Sequence, residues 1–314
     1  MNYKIAFVGL GSIATRHLKN VAAYLDNRGD TYSIDLYRSQ VRPLPEELQS
    51  LVSEVYLYTD EIPAERQYDV VFVTNPTSMH YETLVKFCKS TKSFFIEKPV
   101  FDSTSVDEAV FNKLIGIKCY VACPLRYNAV LQYVRENVNP KDVIAARAIS
   151  SSYLPDWRPG QDYRKTYSAH RELGGGVGID LIHEWDYLTW LFGFPQECQS
   201  IQSKISDLEI DSDDIAIYIA KNSNMTMELH LDYFGRSSVR TLDLFTKEDT
   251  IHCDLIAGTV DYLRSGEKNT FENERNAFQM REIAHFFDII DYKTNNDSTP
   301  EHAYNVLKLA KGEL

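Results

Sequence analysis

Through about residue 125 the chain alternates short apolar runs with amphipathic stretches. The runs KIAFVGL, SIDLYRS, VYLYT, DVVFVTN, SFFIEK and KCYVACP read as strands, and patterns of helical period separate most of them, as at Ala14 to Leu25 and Met79 to Lys89. Strands alternating with helices predict right-handed crossovers and a parallel α/β sheet covered on both faces. From about Asn128 the rhythm changes. A helix-like piece, Val130 to Asn137, leads into VIAARAISSSY and then into an aromatic and charged segment, Leu154 to Leu173, with little periodicity. A strong helical pattern follows at Ile179 to Phe192. Next come CQSIQSKIS, DIAIYIAK, MTMELHLDYF, VRTLDLFT and TIHCDLI, strand-like runs without helices between them, which predict a largely antiparallel sheet. Helices around Phe278 to Tyr292 and from Glu301 onward close the chain, with Pro300 at or just before the start of the last. The expected organisation is an α/β domain over residues 1–123 and an α+β domain over 124–314, with residues 300–314 either staying in the second or packing back on the first.

Composition narrows the function classes. The chain has 314 residues, enough for two cores, with 44% hydrophobic and 25% charged residues, as in ordinary globular proteins. A net charge of -12 would repel a phosphate backbone, and no basic cluster offsets it, so nucleic acid is not an expected partner. No apolar run is long enough to cross a bilayer, and MNYKIAFVGLGS enters an apolar strand pattern directly, so neither a leader nor a membrane anchor is expected. Five cysteines, an odd number without a CxxC pair, read as buried or free thiols in a reducing cytoplasm, and no metal site is expected.

KIAFVGLGSIATRHL sets Gly9, Gly11 and Ala14 at G-x-G-x-x-A spacing between a strand and a helix. Glycines at the first two positions allow a tight turn and bring a pyrophosphate against the backbone N–H groups of Ser12, Ile13 and Ala14; a small third residue lets helix and strand pack closely. In this context the spacing predicts a Rossmann dinucleotide-binding domain. The second strand ends on Tyr37, Arg38 and Ser39 rather than on an acid, with Asp35 facing the same way as Tyr37. Arg38 and Ser39, with Arg42 nearby, would suit a 2′-phosphate, which favours NADP over NAD; ordinary surface polarity is the competing reading.

The fifth strand ends on Glu97-Lys98-Pro99. Ligands of open parallel sheets collect beyond the carboxyl ends of the strands, where the Lys98 ammonium can hydrogen-bond a hydroxyl and stabilise alkoxide-like charge. Glu97 would position Lys98 or a cofactor hydroxyl. The glycine turn, VTNPTSMH after the fourth strand, EKP after the fifth and LRYN after the sixth together resemble the Gfo/Idh/MocA family of glucose-fructose oxidoreductase and inositol dehydrogenase relatives. The resemblance spans nearly the whole chain and implies a sugar, polyol or sugar-derivative substrate, a catalytic role for Lys98 beside the nicotinamide, and cofactor contacts from Asn75, Pro76 and His80. A local alternative for that loop is that Ser78 caps the following helix. Arg126 and Tyr127 of LRYN fall on the substrate side. The resemblance also implies a homodimer or homotetramer formed through the second-domain sheet.

Winding GGGVGIDLIHEWDYLTWLFG as one helix gathers Leu181, Ile182, Trp185, Leu188 and Phe192 into an apolar stripe and sets Asp180, His183, Glu184 and Tyr187 opposite. His183, flanked by Asp180 and Asp186, is placed for proton transfer near neutral pH. The resemblance implies an acid/base role for His183. The usual aspartate precedes the histidine by four residues, whereas Asp180 precedes it by three, so either Asp180 or Asp186 supports it. The preceding segment offers a substrate wall, Trp157 and Tyr163 for stacking on a sugar ring and Arg158, Arg164 and Lys165 for a carboxylate or phosphate, or else an oligomer contact.

Overall fold

The computed structural model describes residues 1–40 and 42–313. The chain forms two compact units, Met1–Ala122 with Gln279–Tyr304, and Cys123–Phe278 with the residues from Asn305 on.

In the first unit, β1 (Asn2–Val8), β2 (Thr31–Arg38), β3 (Glu54–Leu57), β4 (Val70–Val73), β5 (Ser93–Ile96) and β6 (Lys118–Val121) make one parallel sheet in the order β3-β2-β1-β4-β5-β6. The crossovers carry α1 (Ser12–Arg28), the short α2 (Glu46–Gln49), α3 (His80–Phe87) and α4 (Ala109–Lys113). The central strands read as continuous apolar runs because both faces are covered. Strand register lines up Phe7, Phe72, Phe95 and Tyr120 on one face, with ring centroids 4.4, 4.9 and 5.5 Å apart along the row.

The second unit holds α5 (Ala129–Asn137), β7 (Val143–Tyr153), α6 (Val177–Asp180), α7 (His183–Phe192), β8 (Glu197–Ser203), β9 (Ile215–Lys221), β10 (Thr226–Asp232), β11 (Phe234–Thr246), β12 (Thr250–Asp254), β13 (Thr259–Tyr262) and β14 (Lys268–Thr270). Its eight strands run in the order β14-β13-β12-β11-β7-β10-β9-β8. Every pairing is antiparallel except β10 with β7. β13 and β14 escape the sequence pattern because TVDY and KNT hold too few apolar residues to signal a strand.

Two helices close the fold, α8 (Arg275–Ile290) and α9 (Pro300–Ala310). A boundary after residue 123 would leave this region wholly outside the first unit, yet Gln279–Tyr304 returns to it. The reason is aromatic packing. Phe286 lies edge-on to Phe95 at 5.2 Å and to Phe72 at 5.8 Å, and Phe287 edge-on to Tyr3 at 5.2 Å. Beyond α8, the Asn296 side chain donates to the Cys119 carbonyl at 2.7 Å, and the Ser298 carbonyl accepts from Val121 N–H at 2.9 Å, so this segment covers the edge of β6. Among the described residues no helix is long and apolar enough to cross a membrane.

Candidate active-site elements of the two units

The turn after β1 is built by constraint. Gly9 has φ +95°, and a Cβ on it would stand 2.6 Å from Asn75 Cα and 2.9 Å from the Thr74 carbonyl, so only glycine fits. Asn75 follows β4, the strand next to β1, and Thr74 N–H is tied to the Val8 carbonyl at 3.0 Å. Gly11 is the N-cap of α1, makes no side-chain cap, and has open space where its Cβ would be. The first N–H groups of a 17-residue helix, those of Ser12, Ile13 and Ala14, therefore face a cleared approach of the kind a pyrophosphate takes. Ala14 is fully buried.

At the end of β2, Tyr37 points into the core. Its hydroxyl pairs with that of Tyr68 at 2.9 Å, and the Tyr68 hydroxyl donates to Asp35 at 2.8 Å. Burial raises the Asp35 carboxyl, while the Tyr68 hydrogen bond and the Arg66 charge hold it back. Asp35 and Tyr37 thus belong to an internal network, leaving Arg38, Ser39 and Gln40 as the strand's terminal side chains. Arg38 donates to the Arg42 carbonyl at 2.9 Å, and Arg42 reaches the Gln40 side chain.

After β4, the Asn75 amide donates to Thr83 at 2.8 Å, and its Oδ1 is buried without a hydrogen-bond partner. Pro76 leads into a 3₁₀ turn, Thr77–Met79. Ser78 caps nothing: neither that turn nor α3 has a side-chain cap, which corrects the capping alternative. His80 is almost fully buried, its ring nitrogens against the Asn75 and Val100 carbonyls at 3.1 and 3.2 Å, where burial lowers its pKa. The imidazole thereby ties the β4 turn to the β5 turn.

Past β5, Glu97, Lys98 and Pro99 form a turn with a cis Lys98-Pro99 bond. Glu97 Oε1 lies 2.5 Å from His17 Nε2, and its Oε2 accepts the Lys98 backbone N–H at 3.2 Å. Burial alone would raise the Glu97 carboxyl; the His17 hydrogen bond, the His17 and Lys98 charges and the Lys98 N–H overcome that and hold it below the usual carboxylate range. Sequence reading passed over His17. A histidine at the third position past Ala14 was a usable signal, because it places a ring on the sheet-facing side of α1.

In the second unit, Cys123 precedes a 3₁₀ turn, Pro124–Tyr127, carrying Arg126 and Tyr127, both buried. Arg126 grips Asp186 through two bonds, Nε to Oδ2 at 2.9 Å and Nη2 to Oδ1 at 2.6 Å. Arg126, placed on the substrate side from the sequence, is thus joined to Asp186, one of the two carboxylates offered there as support for His183.

The single helix expected over Ile179 to Phe192 is two. α6 ends at Asp180, Leu181 leaves helical geometry at φ -98°, ψ 31°, and α7 starts at His183. Nor is the face opposite the apolar stripe open. Glu184 and Tyr187 are fully buried, and only His183 of that set is partly exposed. Burial of Glu184 is possible because Arg240, on the same face of β11 as Leu242 and Leu244, brings Nε to 2.7 Å from its Oε1. Asp180 is nearly buried and accepts the Tyr233 hydroxyl at 2.6 Å.

The segment from Leu154 to Leu173 is a chain of 3₁₀ turns. Gly175 lets it fold back: a Cβ there would lie 2.2 Å from the Tyr167 carbonyl and 2.8 Å from that of His170. Trp157 donates its indole N–H to Ser152 at 2.9 Å and stands edge-on to Tyr233 at 5.3 Å. The Tyr163 hydroxyl accepts Glu209 N–H at 3.2 Å. Arg164 is held by Asp162 and Glu209, Lys165 sits 4.0 Å from Asp162, and exposed Arg158 lies over the Tyr167 ring at 5.6 Å. Of the proposed cationic wall, Arg158 alone has an aromatic rather than an acidic neighbour. Among the described residues no cluster of His, Cys, Asp or Glu could hold a metal ion.

Residues 3–113 match the Gfo/Idh/MocA oxidoreductase family, NAD-binding Rossmann fold. Scyllo-inositol 2-dehydrogenase (NAD(+)) of Bacillus subtilis is 22% identical over 195 residues, 60% of this chain and 54% of that protein. The chain spans about half the length of the curated relatives it matches. Among solved structures, levoglucosan dehydrogenase in complex with NADH and levoglucosan aligns at a TM-score of 0.83 and 14% identity, covering 99% of this chain and 96% of that one. UDP-N-acetylglucosamine 3-dehydrogenase from Acidithiobacillus ferrooxidans aligns at 0.77 and 17% identity, with the same coverage. At such identities the likeness speaks for the fold. The matched residues 3–113 hold both the glycine turn at Gly9 and the Lys98 turn, at the carboxyl edge of one parallel sheet, so the likeness to the Gfo/Idh/MocA oxidoreductase family rests on the first unit.

Proposed function

We propose that the protein is an NAD(P)-dependent oxidoreductase acting on a CH–OH group, or its carbonyl counterpart, of a sugar, polyol or sugar derivative. One observation carries the reading: in the first unit, the pyrophosphate-ready glycine turn after β1 and the Lys98 turn after β5 share the carboxyl edge of adjacent strands β1-β4-β5. The inositol and levoglucosan dehydrogenases and the UDP-sugar dehydrogenase supply the substrate class. When bound, the nicotinamide supplies the hydride acceptor or donor. Gly9, Gly11 and the N–H groups of Ser12, Ile13 and Ala14 hold its pyrophosphate, with Asn75, Pro76, His80 and Glu97 shaping the rest of its bed. Lys98 binds the reacting hydroxyl and stabilises developing alkoxide charge, and His183 exchanges the hydroxyl proton, with Asp180 in support. Tyr127, Trp157, Arg158, Tyr163 and Arg164 are the substrate-side candidates, and Arg126 with Asp186 braces α7.

For the cofactor we favour NADP, because Tyr37 turns inward and the strand then ends on Arg38 and Ser39 without an acid. NAD is the second reading, favoured by the NAD(+) and NADH named for two of the relatives. Titration with NADPH and NADH, followed by nicotinamide fluorescence, decides between them. We expect an NADPH preference that falls about tenfold or more in Arg38→Ala, the worth of one charge-assisted hydrogen bond. Preference for NADH would discard the Arg38 assignment, and binding of neither would sink the dinucleotide reading.

The open face of the second-unit sheet presents Ile201, Ile217 and Ile219 side by side on paired strands, with Ile201 and Ile219 more than 60% exposed. We assign this face to pairing with a second copy of the chain. Light scattering on Ile219→Lys should show a smaller particle than wild type; a wild-type monomer would remove the assignment. The five free thiols fit a cytoplasmic setting.

A further inference from the structure

We infer that His17 is a positioning residue for Lys98, acting through Glu97 and linking α1 to the Lys98 turn; the inference rests on the reading of Lys98 as the hydroxyl-binding group. The pleat of β5 sets up the contact. Glu97 lies two residues past Phe95, so its side chain falls on the same side of the sheet, the side on which His17 packs edge-on to the Phe95 ring at 4.9 Å. His17 is 1% exposed. Its Nε2 holds one oxygen of Glu97 at 2.5 Å, and the other oxygen holds the Lys98 N–H at 3.2 Å, so the carboxylate is fixed at both ends.

The other ring nitrogen shows what the imidazole is for. His17 Nδ1 is buried and has no hydrogen-bond partner. A histidine serving only to fill space between Phe72 and Phe95 would leave two buried polar atoms to be satisfied where a leucine leaves none. The contact with Glu97 is what the polar ring adds. The titratable and charged groups facing Glu97 are His17 on α1, Lys98 on its own turn and His80 on α3. An ionised Glu97 beside Lys98 favours the ammonium form, and His17 keeps Glu97 ionised against its desolvation. Because α1 also presents the N–H groups of the glycine turn, one rigid helix sets both the pyrophosphate bed and the lysine turn.

The test reads Lys98 itself. Lysines of the full chain are reductively methylated with ¹³C-formaldehyde, and the Lys98 signal, identified by its loss in Lys98→Arg, is titrated by NMR. His17→Phe and Glu97→Gln should each weaken proton binding at Lys98 about tenfold or more. His17→Gln, which keeps an N–H donor, should restore most of it. An unchanged Lys98 titration in folded His17→Phe or in Glu97→Gln overturns the proposal. Should His17→Phe not fold, His17→Asn, too short to reach Glu97, carries the same test. No substrate enters this measurement, so a Lys98 that responds in a protein without sugar turnover would defeat the proposed function and leave the His17 link standing.

Discussion

Lys98→Ala should lower turnover about 10²- to 10⁴-fold, the usual worth of a positioned proton-donating or charge-stabilising group, while dinucleotide binding stays near wild type. The separation follows from the first unit's architecture. The pyrophosphate bed is backbone, from the turn after β1 and the start of α1, whereas Lys98 sits at the end of β5 and contributes a side chain. Removing it leaves the glycine turn, the packing of Gly9 on Asn75 and the aromatic row untouched. Turnover is followed as nicotinamide absorbance against a panel of sugars, polyols and nucleotide sugars, and binding as nicotinamide fluorescence. Lys98→Arg should recover little, because a planar guanidinium does not reproduce the compact ammonium. Two results would count against the reading. Unaltered turnover in Lys98→Ala would remove Lys98 from the chemistry. Dinucleotide binding without turnover of any sugar would favour one of two rivals, a cofactor-binding regulator that keeps the fold without the reaction or a reductase of non-sugar carbonyls and imines, and a non-sugar panel separates them.

The largest stability effect should come from Arg126→Ala, about 3–5 kcal/mol. Arg126 is 1% exposed and the Asp186 side chain 14%, so truncating the guanidinium leaves a carboxylate with little water to replace two short hydrogen bonds. Asp186 lies one turn beyond His183 on α7, so the loss should also loosen the start of that helix and depress turnover. Urea unfolding measures the first effect directly. The double variant Arg126→Met with Asp186→Leu should be far less destabilised than Arg126→Ala, because it removes both charges together and keeps the volume. A loss below about 1 kcal/mol in Arg126→Ala would mean the pair behaves like an exposed one.

The first unit was legible because its signals are local. Buried parallel strands need uninterrupted apolar runs, and a glycine turn needs glycine at fixed offsets, so β1 to β6 and Gly9 stand out in the sequence. The Lys98 turn was legible for a similar reason, a charged pair and a proline ending an apolar run. What stayed hidden depends on distant partners. Glu184 and Tyr187 sit on the polar side of a helical wheel, yet Arg240, more than fifty residues on, lets Glu184 be buried. His17 looked like one more helix residue because its partner lies eighty residues away, in the turn after β5. The break between α6 and α7 follows no proline, and β13 and β14 are held by neighbouring strands rather than by their own composition. The return of Gln279–Tyr304 to the first unit rests on Phe286 and Phe287 meeting the rings of Tyr3, Phe72 and Phe95, set 191 to 284 residues earlier.

That return has a consequence for biosynthesis. All six strands of the first sheet have been made once Val121 is added, but the Phe286 ring that lies against Phe72, Phe95 and Tyr120 arrives 165 residues later. At about 5–20 residues per second, that row waits roughly 10–30 s for its cover while the whole eight-stranded sheet is being synthesised. During that interval the nascent chain exposes a strip of stacked aromatics, a surface suited to a chaperone and prone to self-association. The first unit to begin is therefore among the last to be finished.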